Sequence, residues 1–141
     1  MKKKRVLILC TGNSSRSQMA EGLLNHDAGA RFEAFSAGVA PTKVRSEAIV
    51  VMRELGIDLS TNRSKHVDEF AGQHFDYVLT VCDNARESCP VFPASTRTIH
   101  RSFEDPAAFH GSETERLAIF RKVRDEIREY LRSSPFANSE R

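Results

Sequence analysis

The fold is decided by one stretch near the start of the chain, VLILCTGNSSRSQMAEGLL, residues 6–24. Its first four residues, Val6–Leu9, are apolar without polar alternation, which predicts a short strand buried on both faces. Apolar residues at helical spacing predict a helix from about Ser15 onward. Between strand and helix lies a small polar loop, with Cys10 at its start and Arg16 near its end. A buried strand followed by a helix is the opening unit of an α/β fold.

The rest of the chain continues this alternation. Three further segments favour strands, because they are rich in β-branched and aromatic residues or alternate in polarity: 32–37, 75–81 and 96–100. Helical spacing appears in three others: 46–55, 67–70 and 112–131. We therefore predict a three-layer α/β sandwich, with a four-stranded, mostly parallel sheet and helices on both faces. The chain of 141 residues fits one domain, residues 1–141, around one hydrophobic core.

Composition and charge narrow the functional class. Lys and Arg number 21 against 19 Asp and Glu, and a net charge of +2 gives no argument for a nucleic-acid or membrane partner. The apolar run after MKKKR is shorter than the roughly 7–15 residues of a secretion-signal core, and no stretch reaches the ~20 apolar residues of a membrane span. Three cysteines are too few, and odd in number, for a secreted disulfide scaffold. We expect a cytoplasmic, monomeric protein.

The polar loop CTGNSSRS has the residue types of an anion site. Gly12 and Asn13 tolerate left-handed backbone, so successive N–H groups can face inward. A helix N-terminus adds positive potential, and Arg16 adds a planar fork that suits a tetrahedral oxyanion. The same field favours Cys10 as a thiolate nucleophile, with Ser17 placed to donate a hydrogen bond to its sulfur. The alternative interpretation is an ordinary strand–helix turn with a buried cysteine.

This loop resembles the active-site loop of the low-molecular-weight protein tyrosine phosphatases and of the thioredoxin-coupled arsenate reductases built on the same fold. Both groups carry a C-x5-R-S loop after the first strand. The resemblance implies that Cys10 is the nucleophile, that Asn13 holds the loop's shape and that Ser17 stabilises the thiolate. It also implies that the loop N–H groups and Arg16 bind an oxyanion. The expected substrate-binding residues are Thr11, Gly12, Asn13, Ser14, Ser15 and Arg16.

A general acid is expected in FEDPA, residues 103–107. Oxygen leaves a tetrahedral dianion more readily when a positioned acid protonates it. Proline biases the preceding residue toward extended backbone, which would hold Asp105 on a defined loop. Taken alone, this is also what an ordinary loop Asp-Pro looks like. Both related groups carry an Asp-Pro acid late in the chain, and Asp105 matches it, whereas Glu104 is expected to face solvent.

The segment CDNARESCP, residues 82–90, distinguishes a phosphatase from an enzyme that uses additional cysteines. A phosphatase needs one cysteine, and this segment adds Cys82 and Cys89. In a regular helix these two lie two turns apart, about 10 Å, whereas a disulfide needs Cα atoms within roughly 7 Å. Pairing them therefore requires the segment to bend or unwind, and its composition makes a weak helix. The C-x6-C-P pattern resembles the thioredoxin-coupled arsenate reductases specifically.

The resemblance, which covers most of the chain, implies a relay of three cysteines. Cys10 attacks arsenate while Asp105 protonates the departing oxygen. Cys82 then resolves the adduct and releases arsenite, and Cys89 finally takes over the disulfide. Thioredoxin would reduce the last disulfide, so no flavin or nicotinamide cofactor is expected. Phosphate and sulfate are expected as substrate analogues, with weak phosphatase activity at the same loop.

Two other interpretations stay open. A low-molecular-weight phosphatase would use the same loop for phosphotyrosine or small phosphates. A metal or arsenite sensor would gather the three cysteines with His100 or His110 around zinc. No C-x2-C pair and no operator-binding motif accompanies them, and no metal site is predicted.

One position departs from the related pattern. Some relatives bind potassium beside the loop, through residues matching Asn13, Glu21 and Ser36 and an acid at the position of Lys65. A protonated amine cannot ligate a cation. We therefore expect no such site here, or one filled by the Lys65 ammonium itself.

Overall fold

The computed structural model describes residues 2–133 and 135–137, in which strands and helices alternate. The strands are β1 (Lys4–Cys10), β2 (Phe32–Gly38), β3 (Tyr77–Thr80) and β4 (Arg97–His100). The helices are α1 (Arg16–Ala28), α2 (Ser46–Arg53), α3 (Asp83–Glu87) and α4 (Glu113–Leu131), with 3₁₀ turns at Val67–Phe70 and Pro106–Ala108. Within the described ranges, none of these helices has the length and apolar character needed to cross a membrane.

The four strands form one sheet in the order β2-β1-β3-β4, and every pair is parallel. The predicted four-stranded α/β sheet is thus confirmed. Strands β2 and β3 lie on opposite sides of β1, so the chain reverses its direction of winding between β1 and β3. Sheets of this kind bind ligands at such a switch point, beyond the carboxyl ends of the strands. Here those ends are Cys10 and Thr80.

Strand β1 lies at the centre of the core. Its residues Val6 to Cys10 are 0–3% exposed, which requires cover on both faces of the sheet. Helix α1 lies against β1 and β2 and also contacts α4, which in turn contacts α2. Residues from 67–74 and 90–93 line a groove with Leu7 of β1. Helical segments on both faces complete the predicted three layers.

Most element boundaries differ from the prediction by one or two residues, and at two of them a side chain accounts for the difference. The third strand, predicted at 75–81, is the shorter β3, because the Asp76 carboxylate accepts the Arg5 backbone N–H at 2.8 Å in place of a strand partner. Helix α4 begins one residue later than predicted, because Ser112 is its N-cap. The Ser112 hydroxyl accepts the Glu115 N–H, and the Glu115 carboxylate accepts the Ser112 N–H.

Candidate active site

Two of the three cysteines meet at the switch point. Leu9 is paired with Thr80 across β1 and β3, and the Val81 N–H donates to the Leu9 carbonyl at 3.0 Å. The next residue of each segment is a cysteine, and the thiols of Cys10 and Cys82 lie close enough that each shifts the pKa of the other. Both are buried, with 3% and 4% of their surface exposed. Parallel register therefore joins two sulfurs that lie far apart in the sequence.

The loop after β1 forms a cup of backbone N–H groups. Its carbonyl groups point outward, where they accept hydrogen bonds from residues 39–45, which we call the strap. The four bonds run from Val39 to Cys10, Ala40 to Thr11, Thr42 to Gly12 and Arg45 to Ser14, at 3.3, 2.9, 3.0 and 3.0 Å. In the part of the chain described, the N–H groups of residues 12–15 donate to no protein acceptor. A loop so arranged presents its donors to an anion.

Asn13 sets the bend of the cup. Among the described residues it is the one non-glycine residue with positive φ, 49°. Its side-chain amide donates to Ser17 Oγ at 2.8 Å and Ser36 Oγ at 3.0 Å, and its Oδ1 accepts the Lys65 N–H at 2.9 Å. These bonds hold a backbone conformation that is otherwise unfavourable. Gly12, which the sequence marked for the same conformation, does not adopt positive φ.

Gly38, the last residue of β2, lets the cup lie close to the sheet. A Cβ at this position would overlap the Thr11 carbonyl oxygen and lie 2.9 Å from the Asn13 nitrogen. The Gly38 N–H donates to the Lys65 carbonyl at 2.8 Å, which fixes the strand end in place. Sequence reasoning used Gly38 only as a strand end. A glycine directly after a strand that pairs with the loop-bearing strand is the signal that could have marked the close approach.

Two buried polar atoms of the cup have no hydrogen-bond partner in the described residues, Ser15 Oγ and Arg16 Nε. The rest of the Arg16 guanidinium is fixed: Nη1 donates to the Phe103 carbonyl at 2.9 Å, and Nη2 lies 3.7 Å from Asp105 Oδ2. Buried polar groups are nearly always hydrogen-bonded in folded proteins. Unpaired donors here, beside unpaired backbone N–H groups, fit an oxyanion.

Of the two acids in FEDPA, the structure brings Asp105 to the cup. Its Oδ1 accepts the Ala107 N–H at 3.0 Å, so it caps the 3₁₀ turn, while Oδ2 faces Arg16. The side chain is 43% exposed, which leaves the carboxyl accessible to a ligand in the cup. Glu104 instead pairs with Lys122 at 2.8 Å on the outer surface.

The hydroxyl of Ser17 bonds Asn13, and its predicted role as a donor to the Cys10 sulfur stays a prediction. The hydroxyl accepts the Asn13 side-chain amide, and the described residues show no hydrogen bond between Ser17 and Cys10. The sulfur instead accepts the backbone N–H of Thr11. Ser17 therefore belongs to the hydrogen-bond network beneath the cup, because the buried Asn13 amide needs an acceptor there.

The hydrogen-bond donors around the Cys82 sulfur lower its pKa below that of Cys10. The Cys82 sulfur accepts hydrogen bonds from the Cys10 thiol and, at 3.2 Å, from the Thr11 hydroxyl. With the Ala85 N–H at 3.4 Å, these donors lower the pKa of Cys82 to about 5. The hydrogen bond to Cys82 and burial raise the pKa of Cys10, against the charge of Arg16. Two neighbouring thiolates repel, so loss of one proton from the pair opposes loss of the second, and a Cys10 thiolate stays a prediction.

The third cysteine is held apart by α3. This helix has five residues, with Cys82 as its N-cap and Cys89 just beyond its C-terminal end. All three thiols are free, and Cys89 is half-buried. Burial raises the pKa of Cys89. The structure thus brings Cys82 to Cys10 and places Cys89 at the far end of a short helix.

Two side-chain hydrogen bonds hold the first turn of α3, one to the cup and one to the sheet. Asn84 donates to the Thr11 hydroxyl at 3.1 Å. Because the Thr11 oxygen accepts this bond, its own proton is free to be donated to the Cys82 sulfur. Asp83 accepts a hydrogen bond from His100 Nε2 at 2.9 Å. The other ring nitrogen of His100 bonds the Thr80 hydroxyl at 2.7 Å. Sequence reasoning gave neither Asp83 nor Asn84 a role.

Lys65 stands at the position where the sequence resemblance implies an acidic potassium ligand. Its ammonium donates to the Arg63 carbonyl at 3.1 Å, while the Ser36 hydroxyl donates to Glu21. Burial raises the pKa of Glu21, against the Ser36 hydrogen bond and the Lys65 charge. A set that includes an ammonium does not fit a bound potassium ion. No group of three or more His, Cys, Asp or Glu side chains in the described ranges is arranged to hold a metal ion.

Known proteins are similar to this chain in sequence and in fold. The family model for low molecular weight phosphotyrosine protein phosphatase matches residues 5–134. The chain therefore belongs to the low-molecular-weight phosphotyrosine protein phosphatase family. Within this family, a relative named arsenate reductase, from Halalkalibacterium halodurans, is 42% identical over 127 residues, which are 90% of this chain and 91% of the relative.

Solved structures of arsenate reductases and of a low-molecular-weight protein tyrosine phosphatase superpose on the chain. "An arsenate reductase in oxidized state" gives a TM-score of 0.78 at 29% identity, covering 92% of this chain and 94% of that one. The low-molecular-weight protein tyrosine phosphatase from T. tengcongensis gives 0.74 at 31%, covering 90% and 94%. A thioredoxin-dependent arsenate reductase from Corynebacterium glutamicum gives 0.69 at 27%, covering 92% of this chain and 61% of that one. The resemblance stated from the sequence is confirmed.

Proposed function

We propose that this protein reduces arsenate to arsenite through a relay of its three cysteines, with thioredoxin as the reductant. The observation that carries the proposal is the placement of the buried residues Cys10 and Cys82 side by side at the ends of β1 and β3, with Cys89 across a five-residue helix. Ester hydrolysis needs one nucleophilic sulfur and has no use for two more. The relatives named arsenate reductase, one of them thioredoxin-dependent, support the substrate and the donor.

The cup supplies the binding site for the oxyanion in this proposal. Its donors are the N–H groups of residues 12–15, Ser15 Oγ and Arg16 Nε, which have no other partner among the described residues. Because their positions are fixed before an anion binds, little reorganisation opposes binding. Phosphate and sulfate have the same tetrahedral shape and are proposed as competing analogues. Thr11 and Ser14 belong to the same cup.

The first step needs Cys10 as a thiolate. Its proton passes along the existing hydrogen bond to the Cys82 thiolate, which leaves Cys10 as the nucleophile. The Cys10 sulfur attacks arsenic, and the departing oxygen takes a proton from Asp105. Asp105 lies beside Arg16, which places the acid at the rim of the cup.

The second step moves electrons from sulfur to arsenic. Cys82, deprotonated again, attacks the Cys10 sulfur. An S–S bond forms as the S–As bond breaks, and the electron pair of the broken bond stays on arsenic, which leaves as arsenite. Because the two cysteines lie side by side at the ends of β1 and β3, this step needs little movement of the backbone.

The third step carries the disulfide outward. The Cys89 thiolate attacks the Cys82 sulfur, which releases Cys10 and leaves a Cys82–Cys89 disulfide. Helix α3 must open for this exchange, since a helical spacing of two turns is too long for the bond. The dithiol of thioredoxin supplies the two electrons and two protons that restore the resting protein.

A phosphatase is the second candidate, favoured by the family match and by the T. tengcongensis structure. The same cup, nucleophile and acid would act on phosphate esters, so slow ester hydrolysis is expected even if arsenate is the main substrate. We also propose that one monomeric domain performs the whole cycle in the cytoplasm. A relay of thiols needs a compartment that keeps them reduced.

The test is arsenate-dependent NADPH oxidation, measured with thioredoxin and thioredoxin reductase and repeated with glutathione and glutaredoxin. We expect turnover with the thioredoxin system and none when arsenate is omitted. The matched control is Cys89→Ser, which keeps the cup and breaks only the last exchange. Absence of arsenate-dependent oxidation with both donor systems, alongside phosphate-ester hydrolysis, would assign the protein to the phosphatase candidate instead.

A further inference from the structure

In the proposed relay, the last disulfide forms between Cys82 and Cys89, which lie at the two ends of α3. The helix separates Cys82 from Cys89, and the segment must open before these two sulfurs can bond. Whatever holds α3 in its helical form therefore sets how readily the outer disulfide forms. The side chains that hold its first turn are Asn84, bonded to the cup, and Asp83, bonded to His100.

The His100 ring joins the helix to the sheet. On one side its Nδ1 bonds the hydroxyl of Thr80, a residue 1% exposed at the end of β3. On the other side its Nε2 lies 2.9 Å from the Asp83 carboxylate, which is 74% exposed. A carboxylate only accepts, so Nε2–H is the donor and Nδ1 accepts the Thr80 proton when the ring is neutral. The ring is thus held by the sheet, while Asp83 moves with the helix.

His100 is separate from the chemistry of the cup. It contacts neither Cys10 nor Arg16, and its partner Asp83 has no bond to the cup in the described residues. The other anchor, Asn84, acts on Thr11 and through it on the Cys82 sulfur, so changing it would disturb both. The His100–Asp83 bond is therefore the contact that can be removed without touching a reacting atom.

We propose that His100 is a positioning residue of the relay: its hydrogen bond to Asp83 latches α3 in the helical form that holds Cys89 away from Cys82. The inference rests on the proposed function, for which it adds a control on the third step. In this proposal the first turn of α3 unwinds when the disulfide forms and Asp83 leaves His100, so the latch is made in the dithiol form and lost in the disulfide form. The latch therefore favours the dithiol and delays disulfide formation until Cys82 has been oxidised by Cys10.

The outer pair can be tested without arsenate. In a Cys10→Ser protein, only Cys82 and Cys89 remain to form a disulfide, and glutathione disulfide is the oxidant. The two thiols give up two protons and two electrons, and one glutathione disulfide becomes two glutathione molecules. The ratio of dithiol to disulfide across a glutathione redox series gives the equilibrium constant for this exchange.

The expected result is a shift toward the disulfide when the latch is removed. In the Cys10→Ser background, His100→Ala and Asp83→Ala should each raise the equilibrium constant for oxidation by about fivefold to tenfold, where tenfold corresponds to about 30 mV for a two-electron pair. The double variant should shift no further than either single variant, since both remove one bond. His100→Gln retains a donor and should recover part of the wild-type value.

The matched control is Glu87→Ala, on the same short helix but at its exposed far end. It should leave the equilibrium unchanged, which separates the latch from a general change in helix charge. Additive effects of the two single variants, or no shift in either, would overturn the latch. If Cys82 and Cys89 formed no disulfide at all, the latch would also be overturned, because α3 would then have no opening step for the latch to control.

The proposed function stands or fails on a different measurement. If the wild-type protein shows no arsenate-dependent oxidation while the His100 and Asp83 variants shift the thiol equilibrium together, the latch holds and the arsenate relay is wrong. If arsenate is reduced and the two variants act independently, the relay holds and the latch is wrong.

Discussion

The cup and the segment that follows β3, residues 82–93, meet at the same edge of the sheet but are held in opposite ways. Four strap hydrogen bonds fix the cup's backbone, and Asn13 at its centre is fully buried. The 82–93 segment has a helix of only five residues, and Val91 within it is 99% exposed.

The difference matches the two tasks in the proposed cycle. An anion site acts best when its donors are fixed before the anion binds. A thiol that must carry a disulfide away from that site needs a backbone that can leave its resting conformation at small free-energy cost. The rigid backbone of this molecule is thus in the proposed anion-binding region, and the loosely held backbone is in the region proposed to transfer electrons. The following substitutions are designed to disturb one of these regions and leave the other intact.

The largest effect is expected from Cys82→Ser, which should abolish arsenate turnover while phosphate-ester hydrolysis persists. Hydrolysis should even rise, because Cys10 loses the sulfur neighbour that raises its pKa. Paired assays of arsenite formation and ester hydrolysis on one preparation measure both. Cys89→Ser is the control, with one arsenite released per protein and no recycling by thioredoxin. Sustained turnover by either variant contradicts the relay.

A change in the rigid region should damage both activities together. Gly38→Ala places a methyl group against the Thr11 carbonyl and the Asn13 nitrogen. We expect ester hydrolysis and arsenate reduction each to fall by about 10²-fold, as misplacement of a site by roughly 1 Å does. Steady-state kinetics for both substrates give the comparison.

The control for this change is Gly22→Ala in α1, where the added methyl meets only the side-chain ends of Ile57, Leu59 and Met52. It should lower the stability of the fold without changing the ratio of the two activities. An unchanged kcat/KM in the Gly38→Ala protein would show that the close approach does not shape the cup.

The contact between the two regions can be weakened through one hydroxyl. Thr11→Val removes the O–H donor from the Cys82 sulfur and should raise the pKa of Cys82 by about one to two, since a hydrogen bond to a charged group contributes roughly 1.5–3 kcal/mol. Because the lowered pKa is about 5, wild-type Cys82 stays a thiolate until the pH falls to near that value. The pH dependence of iodoacetamide alkylation at Cys82, followed by mass spectrometry, reports the change.

Thr11→Ser keeps the hydroxyl and serves as the control, with an alkylation profile close to that of the wild type. Identical profiles for the valine, serine and wild-type proteins would mean that Thr11 does not stabilise the Cys82 thiolate.

The smallest effect is expected far from both regions. Ser112→Ala removes the N-cap of α4 and should lower the free energy of unfolding by about 1 kcal/mol. Urea unfolding measures the loss, and the ratio of arsenate reduction to ester hydrolysis should not move. A change in that ratio would show that general destabilisation alone can separate the two activities, which would weaken the conclusions from Gly38 and Cys82.

The sequence was sufficient where the signal is local. A run of buried apolar residues predicted β1, and the loop composition predicted inward-facing N–H groups between Cys10 and Arg16, where the described residues show N–H groups without protein acceptors. Asp105 was marked by the proline that follows it, and the structure places it beside Arg16. Each of these inferences uses residues that are neighbours in the chain.

The sequence was insufficient where the outcome depends on register between distant segments. The lowered pKa of Cys82 depends on Cys10 and Thr11, which lie beside Cys82 only because β1 pairs with β3. Ser17 was predicted to donate to Cys10; in the structure its hydroxyl accepts the buried amide of Asn13, and the described residues show no hydrogen bond from it to Cys10. The His100–Asp83 bond likewise exists only because β4 ends beside α3.

The strap has a consequence for how the protein can change over evolution. It holds the cup through backbone N–H groups at Val39, Ala40, Thr42 and Arg45, so the identity of those side chains is not what shapes the cup. Every residue type except proline carries that N–H. The one proline of the strap, Pro41, stands at a position whose N–H the cup does not use. The rim can therefore acquire new side chains, and with them new preferences among oxyanions, while the anion-binding geometry is inherited intact.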